Sequence, residues 1–386
     1  MSDLQLLFLV LAALYGWECA VWLRRGSVAF TTWLGRAWCA RHPGMLLGNQ
    51  RGGFVFAAPL PPLGTLLTAN QFPLSLSPEA ALAFVAMNVN PGWRPAQSGR
   101  WLALEAVREV RADGKKVVVN GEVWLVAPST SYARFVAGQV SQLAKLKATE
   151  RGKAILDFAA ASLDTKTVEK RWQEFRRHSR RLRWLSNALV VFVLAVTPAV
   201  VWFVGLRLSW LGLLVGLLAL MVATATEFRR AHRALYPDAE DDCFTHTLTI
   251  ALSPANAMRA LDVLSRPLLE AFHPLAVAKV FLPTTDYHNH ARRVLLDLRH
   301  PALPYGPGDN AILCGAEAYW RGALREAAEG LLKRSGIQPD ELCRPPKPAE
   351  AACRAYCPRC HAQFTSVESR CADCGGLALA GFHASG

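Results

Sequence analysis

Sequence motifs of the large enzyme superfamilies are missing from this chain of 386 residues. It has no Walker loop, no GxGxxG, no GxSxG and no HExxH, which excludes the nucleotide-binding, hydrolase and metalloprotease sites that those motifs build. No single Ser, His or carboxylate stands in a pattern that marks a nucleophile or a base. We therefore expect no enzyme activity, no catalytic residue and no bound organic cofactor.

Charged residues are also scarce. They make up 19% of the chain against 52% hydrophobic residues, and the mean hydropathy is +0.17. This balance is high for a wholly soluble protein and low for a polytopic transporter, so it fits a membrane-anchored protein with sizeable soluble parts. The net charge of +13 does not indicate a nucleic-acid-binding face, because most of the surplus Lys and Arg residues lie beside apolar segments.

Long apolar runs occur at about 4–23, 185–204 and 208–226. Each is close to the roughly 20 residues that a membrane-spanning helix needs. The first run has no positive residue before it and no small-x-small cleavage site after it, which favours an uncleaved anchor over a signal peptide. The other two runs predict a transmembrane hairpin. Pro198 should kink its first helix, and Gly212 and Gly216 form a small-x3-small pair that lets another helix approach closely.

Arginine clusters predict the orientation of these spans. Arg24 and Arg25 follow the first run, five arginines precede the second and three follow the third, whereas the hairpin loop carries Arg207 alone. The positive-inside rule then places the N-terminus outside and residues 24–184 and 227–386 in the cytoplasm. We expect a multi-pass protein of a bacterial-type inner (plasma) membrane. Glu18 lies inside the first run, but it is close enough to the Arg24 end to reach the interface.

A strongly basic run covers residues 166–183, with eight Lys or Arg residues against two Glu. Besides setting topology, it is expected to lie on anionic lipid head groups, since each surface Lys or Arg gains about 1 kcal/mol there.

Between the first two spans the sequence predicts a β-rich domain. Asp113-Gly114 and Asn120-Gly121 are tight hairpin dipeptides, and the alternating valines around them indicate a half-buried antiparallel sheet. A long helix should follow Ser129, and helical spacing of apolar residues predicts another over 28–42. The order of several strands and one C-terminal helix over roughly 50–147 resembles bacterial PH-like domains. The resemblance implies that fold and transfers no lipid-binding residue.

Residues 227–335 are predicted to be mostly α-helical. Ser253 is the expected N-cap of one helix, another should begin at Asp286, and a third should run from Ala316 to Ser335. The Pro-rich segment 336–352 is predicted to be a linker that leaves the C-terminal residues free to move as a separate unit.

The segment CPRCHAQFTSVESRCADCGG, residues 357–376, has its cysteines spaced as C-x2-C-x10-C-x2-C. A C-x2-C turn brings two sulfurs to one ion, and two such turns complete a tetrahedral thiolate site. The segment resembles the paired knuckles of zinc ribbons, which implies one structural Zn²⁺ ion and a positive φ at Gly375. The ligands would be Cys357, Cys360, Cys371 and Cys374. Cys353 and His361 are alternate ligands that this set does not need.

The other six cysteines are scattered, which indicates a reducing compartment and no disulfide framework. Residues 353–386 carry one surplus positive charge, so the ribbon is expected to bind a protein in preference to nucleic acid. His288 and His290 diverge at helical pitch, and we expect them to be solvated polar residues at a helix start, not a second metal site. His273 is expected to be structural.

Together these features predict an α+β membrane protein with three transmembrane helices, a β-rich PH-like cytoplasmic domain with a C-terminal helix, an α-helical cytoplasmic domain and a small zinc ribbon. The expected boundaries are 1–24 for transmembrane helix 1, 25–165 for the β-rich domain and its helix, 166–184 for the basic juxtamembrane helix, 185–226 for the transmembrane hairpin, 227–335 for the α-helical domain, 336–352 for the linker and 353–386 for the ribbon.

The expected role is a scaffold or regulatory protein that recruits an unidentified protein partner to the membrane. Two alternatives stay open: a membrane-tethered regulator that binds nucleic acid, and an enzyme acting on a lipid or membrane intermediate through Glu18 or the histidine segment.

Overall fold

The structure, a computed structural model, describes most of the chain after residue 98 and short segments before it. The described residues are 5–7, 9–10, 13, 38–41, 54–58, 65–69, 74–84, 99–127, 129–205, 209–282, 284–300, 311–374 and 376–382. Most of the first predicted span, including Glu18, lies outside them.

Nine short strands precede the first long helix in this part of the chain. They form three antiparallel sheets in the orders β1-β2-β3, β4-β5-β6 and β7-β8-β9. The strands are β1 (Trp38–Arg41), β2 (Phe54–Ala58), β3 (Thr65–Ala69), β4 (Leu74–Leu76), β5 (Ala80–Phe84), β6 (Gly99–Ala103), β7 (Val110–Asp113), β8 (Lys116–Val119) and β9 (Glu122–Val126).

The helix predicted over 28–42 is wrong at its C-terminal end. Residues 38–41 form β1, which pairs antiparallel with β2, and residues 28–37 lie outside the described part. Helical spacing of apolar residues does not determine the backbone conformation of this segment. Pairing with a second strand satisfies its backbone N–H and C=O groups as well as a helix would.

The turns of the β7–β9 meander follow the glycine positions. Asn120 and Gly121 both have positive φ, 50° and 87°, and they link β8 to β9 as predicted. The Asn120 amide Oδ1 also accepts hydrogen bonds from Arg108 N and Glu109 N. The other turn is displaced by one residue from the prediction. Asp113 pairs with Lys116, so the turn residues are Gly114 and Lys115, with Gly114 at φ 53°.

Helix α1 (Thr130–Lys145) begins as predicted, because the Ser129 hydroxyl accepts a hydrogen bond from Tyr132 N. The same hydroxyl donates to Glu270 Oε2 at 2.6 Å, and Thr130 N donates to Asp242 Oδ2 at 3.1 Å. Both carboxylates come from the region after the hairpin. The β-rich and helical regions are therefore joined at this helix N-terminus, and their buried apolar residues form one continuous core.

Twelve further helices follow among the described residues, and 227–335 is mostly helical as predicted, with Ser253 as an N-cap. They are α2 (Ala148–Ser162), α3 (Thr165–His178), α4 (Arg180–Val191), α5 (Thr197–Val204), α6 (Ser209–Leu235), α7 (Glu240–Leu252), α8 (Pro254–Met258), α9 (Ala260–Ser265), α10 (Pro274–Phe281), α11 (Thr284–Arg299), α12 (Ala311–Arg334) and α13 (Pro339–Leu342).

Two of these helical runs, Arg180–Val204 and Trp210–Leu235, are long and apolar enough to cross a membrane. Only 22% of the most apolar window of each run is buried in the protein. A core helix of a soluble protein would be mostly covered by its neighbours. These two helices instead expose their apolar side chains.

Pro198 distorts the helix of the first run, as expected for a residue that lacks a backbone N–H. The five residues before Thr197, Phe192–Val196, form a π-helical turn between α4 and α5. Proline removes the hydrogen bond to the residue four positions earlier and crowds that carbonyl, and a wider turn relieves both effects.

Only one glycine of the α6 pair lies close to the first helix of the hairpin. A Cβ at Gly216 would lie 3.1 Å from Cζ of Phe192, whereas a Cβ at Gly212 would have nothing within 4 Å. The two positions therefore offer a matched test of helix packing. We expect Gly216→Val to destabilise the protein by about 1–3 kcal/mol relative to Gly212→Val, because only the former overpacks the hairpin.

Thermal unfolding of both variants in detergent measures this difference. Equal melting temperatures would show that α6 does not depend on close contact at Gly216.

Candidate metal centre

The first cysteine pair lies in a tight turn between two short strands, β10 (Ala355–Tyr356) and β11 (Gln363–Phe364). Cys357 N donates to Ala362 O at 2.8 Å, and His361 N donates to Cys357 O at 2.9 Å. His361 has φ 61°, an unusual value for a residue with a side chain, and it turns the strand back. The turn thus directs Cys357 and Cys360 to one side.

The second pair sits in a matching turn between β12 (Arg370–Cys371) and β13 (Leu377–Ala378). Residues Ala372–Cys374 form a 3₁₀ turn, and Gly376 N donates to Cys371 O at 2.9 Å. Positive φ occurs at Gly376, 81°, while Gly375 lies outside the described residues. β14 (Ala380–Gly381) pairs with β10 and so closes the ribbon.

The four sulfurs converge as the spacing predicts. All four Sγ atoms lie within 4.8 Å of one another, and Cys360 Sγ is 3.7 Å from Cys371 Sγ. A tetrahedron with metal–sulfur bonds of 2.3 Å has sulfur–sulfur edges of about 3.8 Å. The observed separations therefore suit a metal ion at the centre. Cys357, Cys371 and Cys374 are buried and only Cys360 is exposed.

Electrostatics also favours a cation here. Burial raises the pKa of Cys357, but N–H donation from Cys360 and Arg359 to its sulfur outweighs burial and holds the pKa below its usual value. Burial raises the pKa of Cys360 to about 11 and raises that of Cys374 further, and the neighbouring Cys357 thiol adds to both shifts. Four crowded thiols cannot all ionise alone, so a metal ion is what would hold them as thiolates.

Arg359 is the unexpected member of the site. Its side chain is 6% exposed, Nε lies 3.3 Å from Asp297 Oδ1, and neither Nη1 nor Nη2 has a hydrogen-bond partner among the described residues. Burial lowers the pKa of Arg359, while Asp297, Cys374 and Cys357 act in the opposite direction. A divalent ion with four thiolates carries two negative charges. The buried guanidinium therefore fits a site that contains this centre.

The contact of Arg359 with Asp297 docks the ribbon on α11. No sequence pattern points to this pair, because Arg359 occupies one of the two unspecified positions of the C-x2-C pattern and Asp297 lies 62 residues earlier. The ribbon therefore has a contact with the helical region that the prediction of a separately moving unit did not include.

The predicted linker also makes specific contacts. Pro339–Leu342 forms α13, and Asp340 pairs with Arg299 at 2.8 Å. Further on, the Gln363 side chain accepts a hydrogen bond from Ala349 N at 2.7 Å and donates to Lys347 O at 2.8 Å. An extended Pro-rich segment leaves its backbone groups unpaired, and Gln363 of the ribbon satisfies two of them.

The alternate ligands do not join the cluster. Within the described residues the only close group of potential metal-binding side chains consists of the four ribbon cysteines. Cys353 is a half-buried free thiol, and the His361 ring packs edge-on against Tyr356 with centroids 5.9 Å apart. Neither residue belongs to the sulfur cluster.

The histidine segment differs from its prediction in one residue. His288 is exposed on α11, as expected, but His290 is buried. The divergence of the two side chains is what places one in solvent and the other in the core. His273 is structural, since its Nδ1 accepts a hydrogen bond from Leu275 N and caps α10.

These buried histidines predict acid sensitivity. Burial lowers the pKa of His273 to about 3, with a smaller effect from His290, and lowers that of His290 to about 4. Below about pH 6.5 these two histidines become protonated in the unfolded chain but stay neutral in the folded protein. The free energy of unfolding therefore falls as the pH drops towards 4. The two residues together should cost about 2 kcal/mol per pH unit between about pH 6 and pH 4, because each proton contributes at most about 1.4 kcal/mol per unit.

The measurement is the urea midpoint at pH 7 and pH 5 in detergent. His273→Asn keeps an acceptor for Leu275 N and should reduce the pH dependence, whereas His288→Asn should not. An unchanged pH dependence in His273→Asn would contradict this assignment.

Comparisons of the chain with protein-family models, with curated proteins and with solved structures found no match. They therefore give no support to the resemblance to PH-like domains.

Proposed function

We propose that this protein is a membrane-anchored scaffold whose hairpin crosses the bilayer and whose ribbon and helical domain present a docking surface to a cytoplasmic protein. The observation that carries the proposal is the exposure of the apolar hairpin. Its uncovered large side chains include Trp202, Phe203, Val204, Trp210, Leu214, Leu218 and Val222. Soluble proteins rarely expose a contiguous apolar surface of this extent.

The aromatic residues of the hairpin match the thickness of a bilayer. Trp184 and Trp202 are both exposed and are 18 positions apart. At 1.5 Å per residue they are separated by about 27 Å, close to the ~30 Å hydrocarbon layer that interfacial tryptophans border. Trp210, near the start of α6, would lie at the same outer interface of the bilayer as Trp202.

The proposed orientation rests on charge and on one N-terminal contact. Arg176, Arg177, Arg180 and Arg181 are exposed at the Trp184 end, which is the cytoplasmic end by the positive-inside rule. At the opposite end the Gln5 side chain lies beside Gly205, where a Cβ would approach Gln5 Nε2 to 2.7 Å. Residues 1–24 would then form a third span that starts outside.

The basic run at 166–183 suits anionic lipid head groups. Val168, Trp172 and Phe175 of α3 are buried in the helical domain, and the Lys and Arg side chains of this helix are exposed. The run is therefore fixed to the protein by its apolar face and by Arg171, which donates to Leu268 O at 3.3 Å, and the other basic side chains of α3 are available to the membrane surface.

The ribbon fits a structural role for Zn²⁺. Four sulfur ligands leave no open position for water or substrate, which is typical of structural and not catalytic zinc. The cytoplasm keeps such thiols reduced. A β-rich region of PH-like type beside the membrane would add a second docking module, and no catalytic residue is proposed.

Affinity capture of the intact protein from membranes tests the proposal. Cys371→Ser disrupts the proposed metal site, and Cys353→Ser is its matched control because Cys353 lies outside the cluster. We expect a defined set of proteins to co-purify with the wild type and with Cys353→Ser, independently of nuclease treatment, and to be lost with Cys371→Ser. Capture of the same proteins by all three forms would contradict a docking role for the ribbon, and nuclease-sensitive capture would favour nucleic-acid binding.

A further inference from the structure

Helix α7 carries an apolar stripe that nothing in the described structure covers. Phe244, Leu248 and Leu252 are 68%, 48% and 74% exposed. They are four residues apart, so they lie along one face of the helix. The opposite face is already used, since Cys243 and Ile250 are buried.

Contacts with α6 show that α7 runs back towards the membrane. The Cys243 thiol lies 3.9 Å from Arg229 O, and the His246 ring packs edge-on against Phe228 with centroids 6.2 Å apart. Higher residue numbers in α7 thus meet lower numbers in α6. The helix is antiparallel to α6 and descends from the arginine cluster towards the apolar part of the hairpin.

The C-terminal end of α7 reaches the depth at which that apolar part begins. Helix α8 starts two residues after Leu252, and its Ala257 carbonyl accepts a hydrogen bond from Ser186 Oγ at 3.4 Å. Ser186 is only two residues past Trp184, the aromatic residue at the proposed cytoplasmic interface. Leu252 therefore lies near the level of this interface.

Charge along α7 follows the same gradient. Glu240, Asp241 and Asp242 occupy the first turn, at the end farthest from the hairpin's apolar part, and no charged residue follows them in the helix. Asp241 and Leu252 are separated by about 16 Å along the axis. A helix whose C-terminal end enters a lipid interface needs its carboxylates at the N-terminal end, because anionic head groups repel them.

We propose that the α7 stripe is a membrane contact in which Leu252 reaches the acyl chains and Phe244 lies at the head groups. This inference rests on the proposed membrane insertion of the hairpin. We favour the bilayer over a protein partner because α7 changes from polar to apolar in the same direction as the hairpin beside it. Its acidic first turn lies at the arginine end of the hairpin, and Leu252 lies where the apolar part of the hairpin begins. The contact would fix the helical domain, and with it the docked ribbon, at one height and tilt above the membrane.

Photo-crosslinking of the full-length protein in vesicles of phosphatidylethanolamine and phosphatidylglycerol tests this contact. A benzophenone amino acid replaces Leu252, Leu248, Phe244 or Asp241 in separate variants, and Leu218 of α6 serves as the hairpin control. Lipid adducts are counted by mass spectrometry. We expect yields in the order 252, 248, 244, with Leu252 similar to Leu218 and Asp241 at least roughly tenfold lower because it lies on the same face but outside the interface.

Two outcomes overturn the inference alone. Either lipid adducts form at Leu218 but not at Leu252, or Leu252 couples to a second protein chain in place of lipid. Absence of lipid adducts at Leu218 as well would show that the hairpin is not in the bilayer, and the proposed function would fail with the inference.

Discussion

Replacing Cys371 by Ser should abolish metal binding, unfold the last 30 or so residues and release them from α11. Three thiolates and a hydroxyl do not reproduce the four-sulfur site, and a segment of this size cannot bury enough apolar surface to fold without its ion. Metal content and limited proteolysis of the purified protein measure the effect. We expect no stoichiometric metal and rapid loss of the tail, with membrane insertion unchanged.

Cys353→Ser is the control, since Cys353 lies outside the sulfur cluster. It should keep one metal ion per chain and an uncut tail. Stoichiometric metal and an intact tail in Cys371→Ser would show that the four cysteines are not the site. Failure of the whole protein to insert would show that the ribbon is needed for more than its own fold.

Substitution of Arg359 distinguishes metal binding by the ribbon from docking of the ribbon on α11. Removal of the metal leaves the Asp297 carboxylate but takes away the negative charge of the thiolate centre, and a buried charge that is less well compensated is destabilising. Arg359→Gln should retain the metal ion, because all four sulfurs remain, but should raise hydrogen exchange in α11 around Asp297. Unchanged exchange in this variant would mean that other contacts hold the ribbon.

Replacing Leu218 by Arg should prevent insertion of the hairpin. Leu218 is 48% exposed and lies midway between Trp210 and Thr226 in α6, so in a bilayer its side chain would lie near the centre. Arginine at the centre of a spanning helix costs about 2.5–3.5 kcal/mol on insertion scales. We expect the variant to be lost from the membrane fraction and degraded.

The matched control is Val126→Arg. Val126 is 55% exposed but belongs to β9. In a soluble protein both substitutions would place a charge on the surface and would be tolerated equally. A Leu218→Arg variant that stays in the membrane fraction, or a wild-type protein that is soluble without detergent, would contradict the membrane assignment.

Features that depend on local chemistry could be predicted from the sequence. The four cysteines converge because each C-x2-C turn is local and the two turns are similar. Ser129 and Ser253 cap their helices because a hydroxyl before a helix accepts from a free N–H. The two apolar helices of the hairpin follow directly from length and composition.

Features that depend on distant partners could not be predicted. Strict alternation along β9 would bury every second residue, but the register shifts near Val117, so Val123 is exposed and Trp124 and Leu125 are both buried. A bulge breaks the period of two without changing composition. The pairing of β1 with β2, the burial of His290 and the contact of Arg359 with Asp297 likewise depend on residues far along the chain.

Protease protection in sealed, inside-out vesicles of the plasma membrane tests the membrane scaffold most directly. One epitope tag is placed at the C-terminus and a second between residues 205 and 209, in the hairpin connection. We expect added protease to remove the C-terminal tag and to spare the hairpin tag until detergent is added. Cleavage of the hairpin tag in sealed vesicles, or protection of the C-terminal tag, would contradict it.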